Sequence, residues 1–171
     1  MKINIPHMLI GGYALSAYGR IRATVDIDIA IAAEFADVVR VHRELAKRRF
    51  QLPSSPNEKT PLFVVTDMIN KVEVEIWTKP DGVVFDNELL RRRVKVGPFD
   101  DFTMYAIGPE DFIVNKLARH DRGVQDEQDV VSVLKRMNDK LDYEYLERRA
   151  IDAKVNALLE ILIDKTEKLD K

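Results

Sequence analysis

The sequence predicts an α+β domain in which a mixed β-sheet is flanked by helices, with a helical region at the C-terminal end. Three observations predict it. A chain of 171 residues is about one domain and can bury a sizeable core. Short strand patterns alternate with helical ones in the first part of the chain, and from Pro109 onward every apolar period is helical. We expect an α/β core over residues 1–108 and a helical extension over residues 109–171, packed together as a single domain.

The elements follow in chain order. A strand ends near Met8–Ile10, a glycine turn follows, and a small-residue helix over residues 13–18 is stopped by Gly19. The run from Val25 to Ala33 is so apolar that it predicts a central strand. The later predicted elements are a helix over 34–49, a Pro-rich loop over 53–61, strands over 62–67 and 71–77 joined by a tight turn, a helix over 87–93, short strands near 94–96 and 103–107, and helices over 110–119, 125–137, 143–153 and 155–168.

Two acidic residues lie on the predicted central strand. Because successive side chains of a strand point to opposite faces, Asp26 and Asp28 share one face. Val25, Ile27 and Ile29 are expected on the other, buried face. Two neighbouring carboxylates repel each other, and a cation such as Mg²⁺, which binds carboxylates, water and phosphate oxygens, relieves that repulsion. The pair predicts a metal site for a phosphorylated ligand.

The segment before this strand has features of a phosphate-binding site. Gly11 and Gly12 allow the backbone to approach a ligand closely, and the first N–H groups of the following helix favour a triphosphate. Ser16 lies on that helix. Arg22 and Thr24 precede the first carboxylate and can orient it or hold a phosphate. All five are candidate nucleotide-binding residues.

These motifs resemble the nucleotidyltransferase superfamily related to DNA polymerase beta. In that superfamily a Gly-Gly or Gly-Ser turn precedes a strand of the form hydrophobic-Asp-hydrophobic-Asp/Glu-hydrophobic. The closest likeness is to small prokaryotic members, the AbiEii-type toxin nucleotidyltransferases and related uncharacterised domains, which share a later Pro-Glu-Asp-x-x-x-x-Lys helix and an Asp-x-x-Asp helix. The matching residues here are Gly11-Gly12, Arg22-x-Thr24-x-Asp26-Ile27-Asp28, Pro109-Glu110-Asp111 with Lys116, and Asp126-x-x-Asp129.

The resemblance implies transfer of a nucleoside monophosphate from a nucleoside triphosphate to an acceptor, which in the wider superfamily is a tRNA end, a protein or a small antibiotic. It also implies a third acid on a neighbouring strand. Glu73 and Glu75 alternate on one predicted strand, and we favour Glu75 because the third acid usually lies late in the strand. With Asp26 and Asp28 it would hold two Mg²⁺ or Mn²⁺ ions. Trp77, two residues further, is expected to be a packing residue.

The resemblance also implies roles for four residues of the helical region. Lys116 would bind phosphate, and Arg119, three residues on, is a weaker candidate. Asp126 and Asp129 would anchor these side chains or assist the acceptor. A simpler interpretation stays open, in which the lysine lies on a solvated helix face and the acids only complement the start of their helix.

Two other functions are compatible with the motifs. The chain could be a catalytically inactive module that binds a nucleotide or a partner, for instance one half of a toxin–antitoxin pair. Retained carboxylates argue against a loss of chemistry. A nuclease that uses the same acids is the weaker alternative, because the Gly-Gly turn suits a triphosphate better.

Composition excludes several classes of protein. The chain has no cysteine, which excludes disulfides, thiol nucleophiles and thiolate zinc sites. His7, His42 and His120 are scattered, and no P-loop or hydrolase elbow motif occurs. A net charge of −2 argues against broad nucleic-acid coating, despite basic clusters at 47–49 and 91–93. Without an apolar run of about eighteen residues, the chain is expected to be cytoplasmic and not in a membrane.

Overall fold

The computed structural model describes residues 5–48, 50–52, 55–56, 58–59, 61–99 and 102–169. Across these residues, seven β-strands form one mixed sheet flanked by seven α-helices, which confirms the predicted fold class. The strands are β1 (His7–Leu9), β2 (Asp26–Ile31), β3 (Phe50–Gln51), β4 (Leu62–Asp67), β5 (Glu73–Trp77), β6 (Val94–Phe99) and β7 (Phe102–Ala106); the helices are α1 (Gly11–Leu15), α2 (Phe35–Ala46), α3 (Asn87–Arg92), α4 (Pro109–Ala118), α5 (Val124–Met137), α6 (Tyr143–Asp152) and α7 (Asn156–Leu169).

The strand that carries the two aspartates is central in the sheet. The strand order is β3-β4-β5-β2-β1-β7-β6, so β2 has three strands on each side, as its apolar sequence predicts. β2 runs parallel to β5 and antiparallel to β1. In the β2–β5 register, Asp26 lies opposite Glu73 and Asp28 lies opposite Glu75. Four acidic residues therefore face each other in pairs across two neighbouring strands.

Two hydrophobic clusters stabilise this arrangement. The larger one includes residues of both the sheet region and the later helices, among them Met8, Leu15, Phe112, Leu134, Leu146 and Leu159. The smaller one lies between α2 and the β4–β5 side of the sheet and contains Ile31, Val38, Phe63, Val65 and Ile76. No helix among the described residues has the length and apolar character needed to cross a membrane.

Two apolar side chains are not buried as predicted. Val25 is 92% exposed, because β2 begins only at Asp26 and the preceding segment is not part of the sheet. The helical pattern over residues 34–49 also predicts that Phe35 faces inward, but Phe35 is 40% exposed at the first position of α2. Both predictions were wrong because Val25 lies just before its strand and Phe35 is the first residue of its helix, so the buried pattern does not reach either position.

The start of α1 and the edge of the sheet also differ from the prediction. α1 begins at Gly11 and ends at Leu15, so the two glycines form its first turn and the helix is shorter than predicted. The two-residue strand β3 was not predicted, and it pairs with β4 at the edge of the sheet. Of the predicted Pro-rich loop, Pro53, Ser54, Asn57 and Thr60 lie outside the described residues.

A polar network joins α4 to α6 within the core. Asp111 is 3% exposed and accepts hydrogen bonds from the Tyr145 hydroxyl at 2.8 and 3.0 Å. Arg149 donates to the same hydroxyl at 2.9 Å and to Asp86, the N-cap of α3, at 2.8 Å. Burial raises the pKa of Asp111 to about 6, despite the hydrogen bond from Tyr145 and the nearby charge of Arg149.

This raised pKa predicts a pH-dependent stability. Between pH 3.8 and about 6 the folded protein keeps a proton on Asp111 that the unfolded chain releases. The contribution of Asp111 to the free energy of unfolding therefore falls as the pH rises through this interval, by up to about 1.4 kcal/mol per pH unit. Urea denaturation at pH 4.5, 5.5 and 6.5 measures the free energy of unfolding of wild type and of Asp111→Asn. We expect this free energy to change with pH in a more negative direction in wild type than in Asp111→Asn.

Asp121→Asn is the matched control for this experiment. Arg119 lowers the pKa of the exposed Asp121 to about 2, so this carboxyl is ionised throughout the interval. We expect the free energy of unfolding of Asp121→Asn to depend on pH as that of wild type does. The same pH dependence of the free energy of unfolding in wild type and Asp111→Asn would contradict the raised pKa of Asp111.

Candidate active site

Three carboxylates converge where β2 and β5 lie side by side. Asp26, Asp28 and Glu75 each offer an oxygen atom, and these atoms all lie within 4.8 Å of one another. All three side chains are half-buried. Glu73, the alternative third acid, lies opposite Asp26 but is exposed and is not part of this group. The geometry thus places Glu75, the favoured residue, with the two aspartates.

The electrostatics of this group show that its charge is poorly compensated. Burial and the neighbouring charge of Asp26 raise the pKa of Asp28. Burial and the charge of Asp28 likewise raise the pKa of Glu75. Three converging carboxylate oxygens are the hard ligands that Mg²⁺ and Mn²⁺ prefer, and a cation would offset the repulsion between them. The donor set therefore fits a divalent metal ion.

The glycines of α1 lie directly against Asp28 and Thr24. Gly11 has a φ of +62°, in the left-handed region that favours glycine, and a Cβ atom at this position would overlap Oδ2 of Asp28. A Cβ atom at Gly12 would lie 2.9 Å from Cβ and from Oγ1 of Thr24. The two glycines therefore let the backbone approach the acidic strand more closely than any other residue would.

This close approach predicts a large effect of Gly11→Ala. A methyl group at Gly11 must push the Asp28 carboxylate away, since the end of that side chain yields more easily than the backbone. We expect Mn²⁺ affinity to fall by about 100-fold, with a cost of only about 1–2 kcal/mol in the free energy of unfolding from the left-handed conformation. Calorimetric titration with Mn²⁺ and urea denaturation measure the two quantities.

Gly123→Ala is the control substitution. A Cβ atom at Gly123 would have no atom within 4 Å apart from those of its own and the two adjoining residues, and the φ of −116° is open to any residue. Its Mn²⁺ affinity should match that of wild type. Equal Mn²⁺ affinities in Gly11→Ala and Gly123→Ala would show that the close approach of the Gly11 backbone to the Asp28 carboxylate is unimportant for metal binding.

Three further candidate residues have separate partners. The Thr24 hydroxyl donates to Asp26 Oδ1 at 3.0 Å and so orients that carboxylate. Arg22 donates from Nε to Asp129 Oδ2 at 3.2 Å. The Ser16 hydroxyl is exposed and donates to the backbone carbonyl of Tyr13 at 2.7 Å. Of these three, Thr24 alone is hydrogen-bonded to an acid of the cluster.

Lys116 is buried rather than solvated. It is 2% exposed, and its Nζ donates to Asp126 Oδ1 at 2.8 Å and lies 3.6 Å from Asp129 Oδ2. The interpretation of Lys116 as part of a solvated helix face is therefore wrong, because residues 109–117 of α4 are all buried between α1, α5 and α6. One alternative from the sequence, that Asp126 anchors this lysine, describes the observed contact.

The two acids of α5 bind several basic side chains. Burial alone would raise the pKa of Asp126, but the hydrogen bonds from Lys116 and from the Gly123 N–H outweigh it and the pKa is lowered. Asp129 is fully buried and also accepts from Arg20, at 3.3 Å. These acids therefore connect α5 to α4 and to the segment before β2.

A pocket lies beside the carboxylates. It is lined by Gly11, Asp28 and Trp77 from the sheet side, and by Lys116 and Arg119 from α4 and its end. The Arg119 guanidinium binds both Asp121 oxygens at 2.9 Å. The remaining lining residues are Ile10, Pro80, Asp81, Asn115, His120 and Asp121.

Sequence reasoning missed one contact within the site. The Trp77 indole N–H donates to Glu75 Oε2 at 3.1 Å and lies 3.4 Å from Asp28 Oδ1. Trp77 was expected to be a packing residue only. The available signal was the alternation of β5, which places Trp77 on the same face as Glu75.

Comparison with known proteins supports the nucleotidyltransferase fold. The lincosamide antibiotic adenylyltransferase LnuA, in a lincomycin-bound crystal structure, is similar with a TM-score of 0.51 and 16% identity over 75% of this chain and 85% of that chain. The solution structure of the antibiotic-resistance factor ANT(2'')-Ia is similar with a TM-score of 0.51 and 17% identity over 92% of this chain and 86% of that chain. Such low identities show a shared fold alone. No curated protein matches the sequence.

A family model matches almost the whole sequence, over residues 2–167. The matched region includes the strands that carry the three carboxylates and the helices that carry Lys116 and Asp129. The resemblance to the nucleotidyltransferase superfamily is confirmed at this level, and the chain belongs to the family described as "Nucleotidyltransferase of unknown function (DUF6036)".

Proposed function

We propose that the protein is a metal-dependent nucleotidyltransferase that moves a nucleoside monophosphate from a nucleoside triphosphate to an acceptor. The observation that carries the proposal is the convergence of Asp26, Asp28 and Glu75 directly against Gly11. In the transfer, an acceptor oxygen forms a bond to the α-phosphorus and releases any proton it carries to water. The bond between the α-phosphorus and the oxygen that bridges it to the β-phosphorus breaks, and pyrophosphate leaves with that oxygen.

The three carboxylates are the proposed ligands of two Mg²⁺ or Mn²⁺ ions. When bound, such ions supply charge neutralisation at the phosphate oxygens and activation of the acceptor oxygen. Thr24 holds the Asp26 carboxylate in place through its hydroxyl. The raised pKa values of Asp28 and Glu75 reflect burial and the charge of a neighbouring carboxylate, Asp26 for Asp28 and Asp28 for Glu75, which a divalent cation would offset.

Binding of the triphosphate is the proposed role of the residues around this group. Gly11 and Gly12 bring the start of α1 against Asp28 and Thr24, and the backbone N–H groups of this turn are the proposed donors to the triphosphate. Lys116 lines the same pocket as Asp28 and supplies a positive charge, with Arg119 as a weaker contributor. Further proposed contributors are Arg22 and Ser16, while Asp126 and Asp129 position Lys116 and Arg22.

This division of roles follows the proposed organisation of the chain. The α/β core over residues 1–108 supplies the carboxylates and glycines. The helical region over residues 109–171 supplies one wall of the pocket through α4, which contributes Asn115 and Lys116.

The acceptor in this proposal is a hydroxyl or phosphate group of a tRNA, a protein or a small molecule. The two similar structures, an antibiotic adenylyltransferase and an antibiotic-resistance factor, support including small antibiotics among the acceptors to be tested. The Pro-Glu-Asp and Asp-x-x-Asp helix motifs shared with AbiEii-type toxins support a toxin whose partner is an antitoxin.

A transfer assay tests the proposal. Each of the four nucleoside triphosphates, labelled at the α-phosphate, is incubated with the protein, Mg²⁺ and one acceptor class at a time: total tRNA, cellular protein or a panel of antibiotics. We expect label in one acceptor fraction together with pyrophosphate release, both dependent on Mg²⁺. Mg²⁺-dependent nucleotide binding without label in any fraction would instead support the inactive binding module.

A further inference from the structure

The indole of Trp77 occupies a distinctive position relative to the carboxylates. In the parallel β2–β5 register, Trp77 lies opposite Ala30, one step beyond the pair of Asp28 and Glu75 on the same face of the sheet. Ala30 presents only a methyl group there and is fully buried.

The indole N–H connects two acids from different strands. It donates to Glu75 Oε2 at 3.1 Å and lies 3.4 Å from Asp28 Oδ1, so one donor is shared between two carboxylates that repel each other. The indole N–H is a donor only and carries no charge. It therefore holds the two acids together without neutralising them, which leaves their negative charge available to a cation.

This contact restricts the mobile part of the cluster. Glu75 has the longest side chain of the three acids, and it has the most rotamer freedom to lose when it binds an ion. The indole binds one oxygen of Glu75 and approaches one oxygen of Asp28, and the second oxygen of each lies outside these contacts. The Thr24 hydroxyl restrains the Asp26 carboxylate in the same way, by donating to its Oδ1 at 3.0 Å.

We propose that Trp77 is a positioning residue that fixes the Asp28 and Glu75 carboxylates in the arrangement required for divalent cation binding. The inference rests on the proposed function, because it takes these carboxylates as the metal ligands. Residues that hydrogen-bond to metal ligands in this way typically change metal affinity by 10–100-fold when they are replaced.

Trp77→Phe tests this role because it keeps an aromatic ring and removes only the N–H group. We expect Mn²⁺, titrated alone by calorimetry, to bind Trp77→Phe about 10–100-fold more weakly than wild type. Tyr13→Phe is the matched control, since it removes the hydroxyl group of an aromatic side chain at an exposed residue of α1, two positions from Gly11. Its affinity should equal that of wild type.

A second readout uses the wild-type protein and needs no substitution. Trp77 is the single tryptophan of the chain, so its indole ¹H–¹⁵N resonance is assigned without ambiguity. We expect this resonance to shift on titration with Mg²⁺, with the same midpoint as a calorimetric titration of wild type with Mg²⁺ gives. A residue with a merely structural role in the core would show neither this shift nor the weakened binding.

The outcomes separate this inference from the proposed function. Wild-type affinity for Mn²⁺ in Trp77→Phe, or an indole resonance that does not move while wild type binds Mg²⁺, overturns the role of Trp77 and leaves the metal site intact. Failure of wild type and Tyr13→Phe alike to bind either ion overturns the metal site itself and the role of Trp77 with it.

Discussion

Asp28→Asn is expected to abolish metal-dependent nucleotidyl transfer while making the metal-free protein more stable. Removing one of three converging carboxylates deprives the site of several kcal/mol of transition-state stabilisation, about 4 kcal/mol or more, which corresponds to at least about a thousandfold loss of rate. The pKa of Asp28 is raised in the folded protein by burial and by Asp26. Its charge therefore costs stability at neutral pH, and a neutral asparagine removes that cost.

Glu73→Gln provides the control for this experiment. Glu73 carries the same charge on the same face of the sheet, opposite Asp26, but it is exposed and lies outside the converging group. We expect wild-type transfer in Glu73→Gln, and the unfolding of both variants is followed in urea without metal. Full activity in Asp28→Asn would refute the assignment of the site, and equal losses in the two variants would refute the choice of Glu75 over Glu73.

Lys116→Met is expected to cause the largest loss of stability. Lys116 is 2% exposed and pairs with Asp126 at 2.8 Å, so its replacement leaves the buried Asp126 carboxylate without this partner. Asp129 keeps its contacts with Arg20 and Arg22. Breaking a buried ion pair from one side typically costs about 3–5 kcal/mol. Urea denaturation at pH 7 in the absence of metal measures this cost.

Lys47→Met is the matched comparison. Lys47 pairs with Glu44 at 2.7 Å, but its side chain is 61% exposed and the pair lies on the surface of α2. Such exposed pairs contribute about 0–1 kcal/mol. If Lys116→Met costs no more than Lys47→Met, Lys116 is not part of the charge network that holds α4 to α5, and its burial has no energetic significance.

Much of the sheet could be predicted because its signals are local. The apolar run around Asp26 and Asp28 indicates a central strand, and strict alternation places Glu73, Glu75 and Trp77 on one face of β5. The choice between the two glutamates requires the register of β2 and β5, which pairs Asp28 with Glu75. That register depends on packing across the whole sheet, which no short motif encodes.

The contacts of the helical region could not be predicted in the same way. A lysine on a helix is usually solvated, and Lys116 is buried only because α5 brings two acids, ten and thirteen residues later, against α4. The family motif marked Lys116, Asp126 and Asp129 but not their mutual contact. Trp77 shows the same limit, because its hydrogen bond to Asp28 crosses between strands 49 residues apart.

Calorimetric titration of the four nucleoside triphosphates, with and without Mg²⁺, tests the central claim most directly. Wild type and the double variant Asp26→Ala/Asp28→Ala are compared under identical conditions. We expect wild type to bind at least one nucleoside triphosphate only when Mg²⁺ is present, and the folded double variant to bind none. Binding that is unaffected by the double substitution, or no binding to wild type with any of the four nucleotides, would contradict the claim that these carboxylates form a metal-dependent nucleotide site.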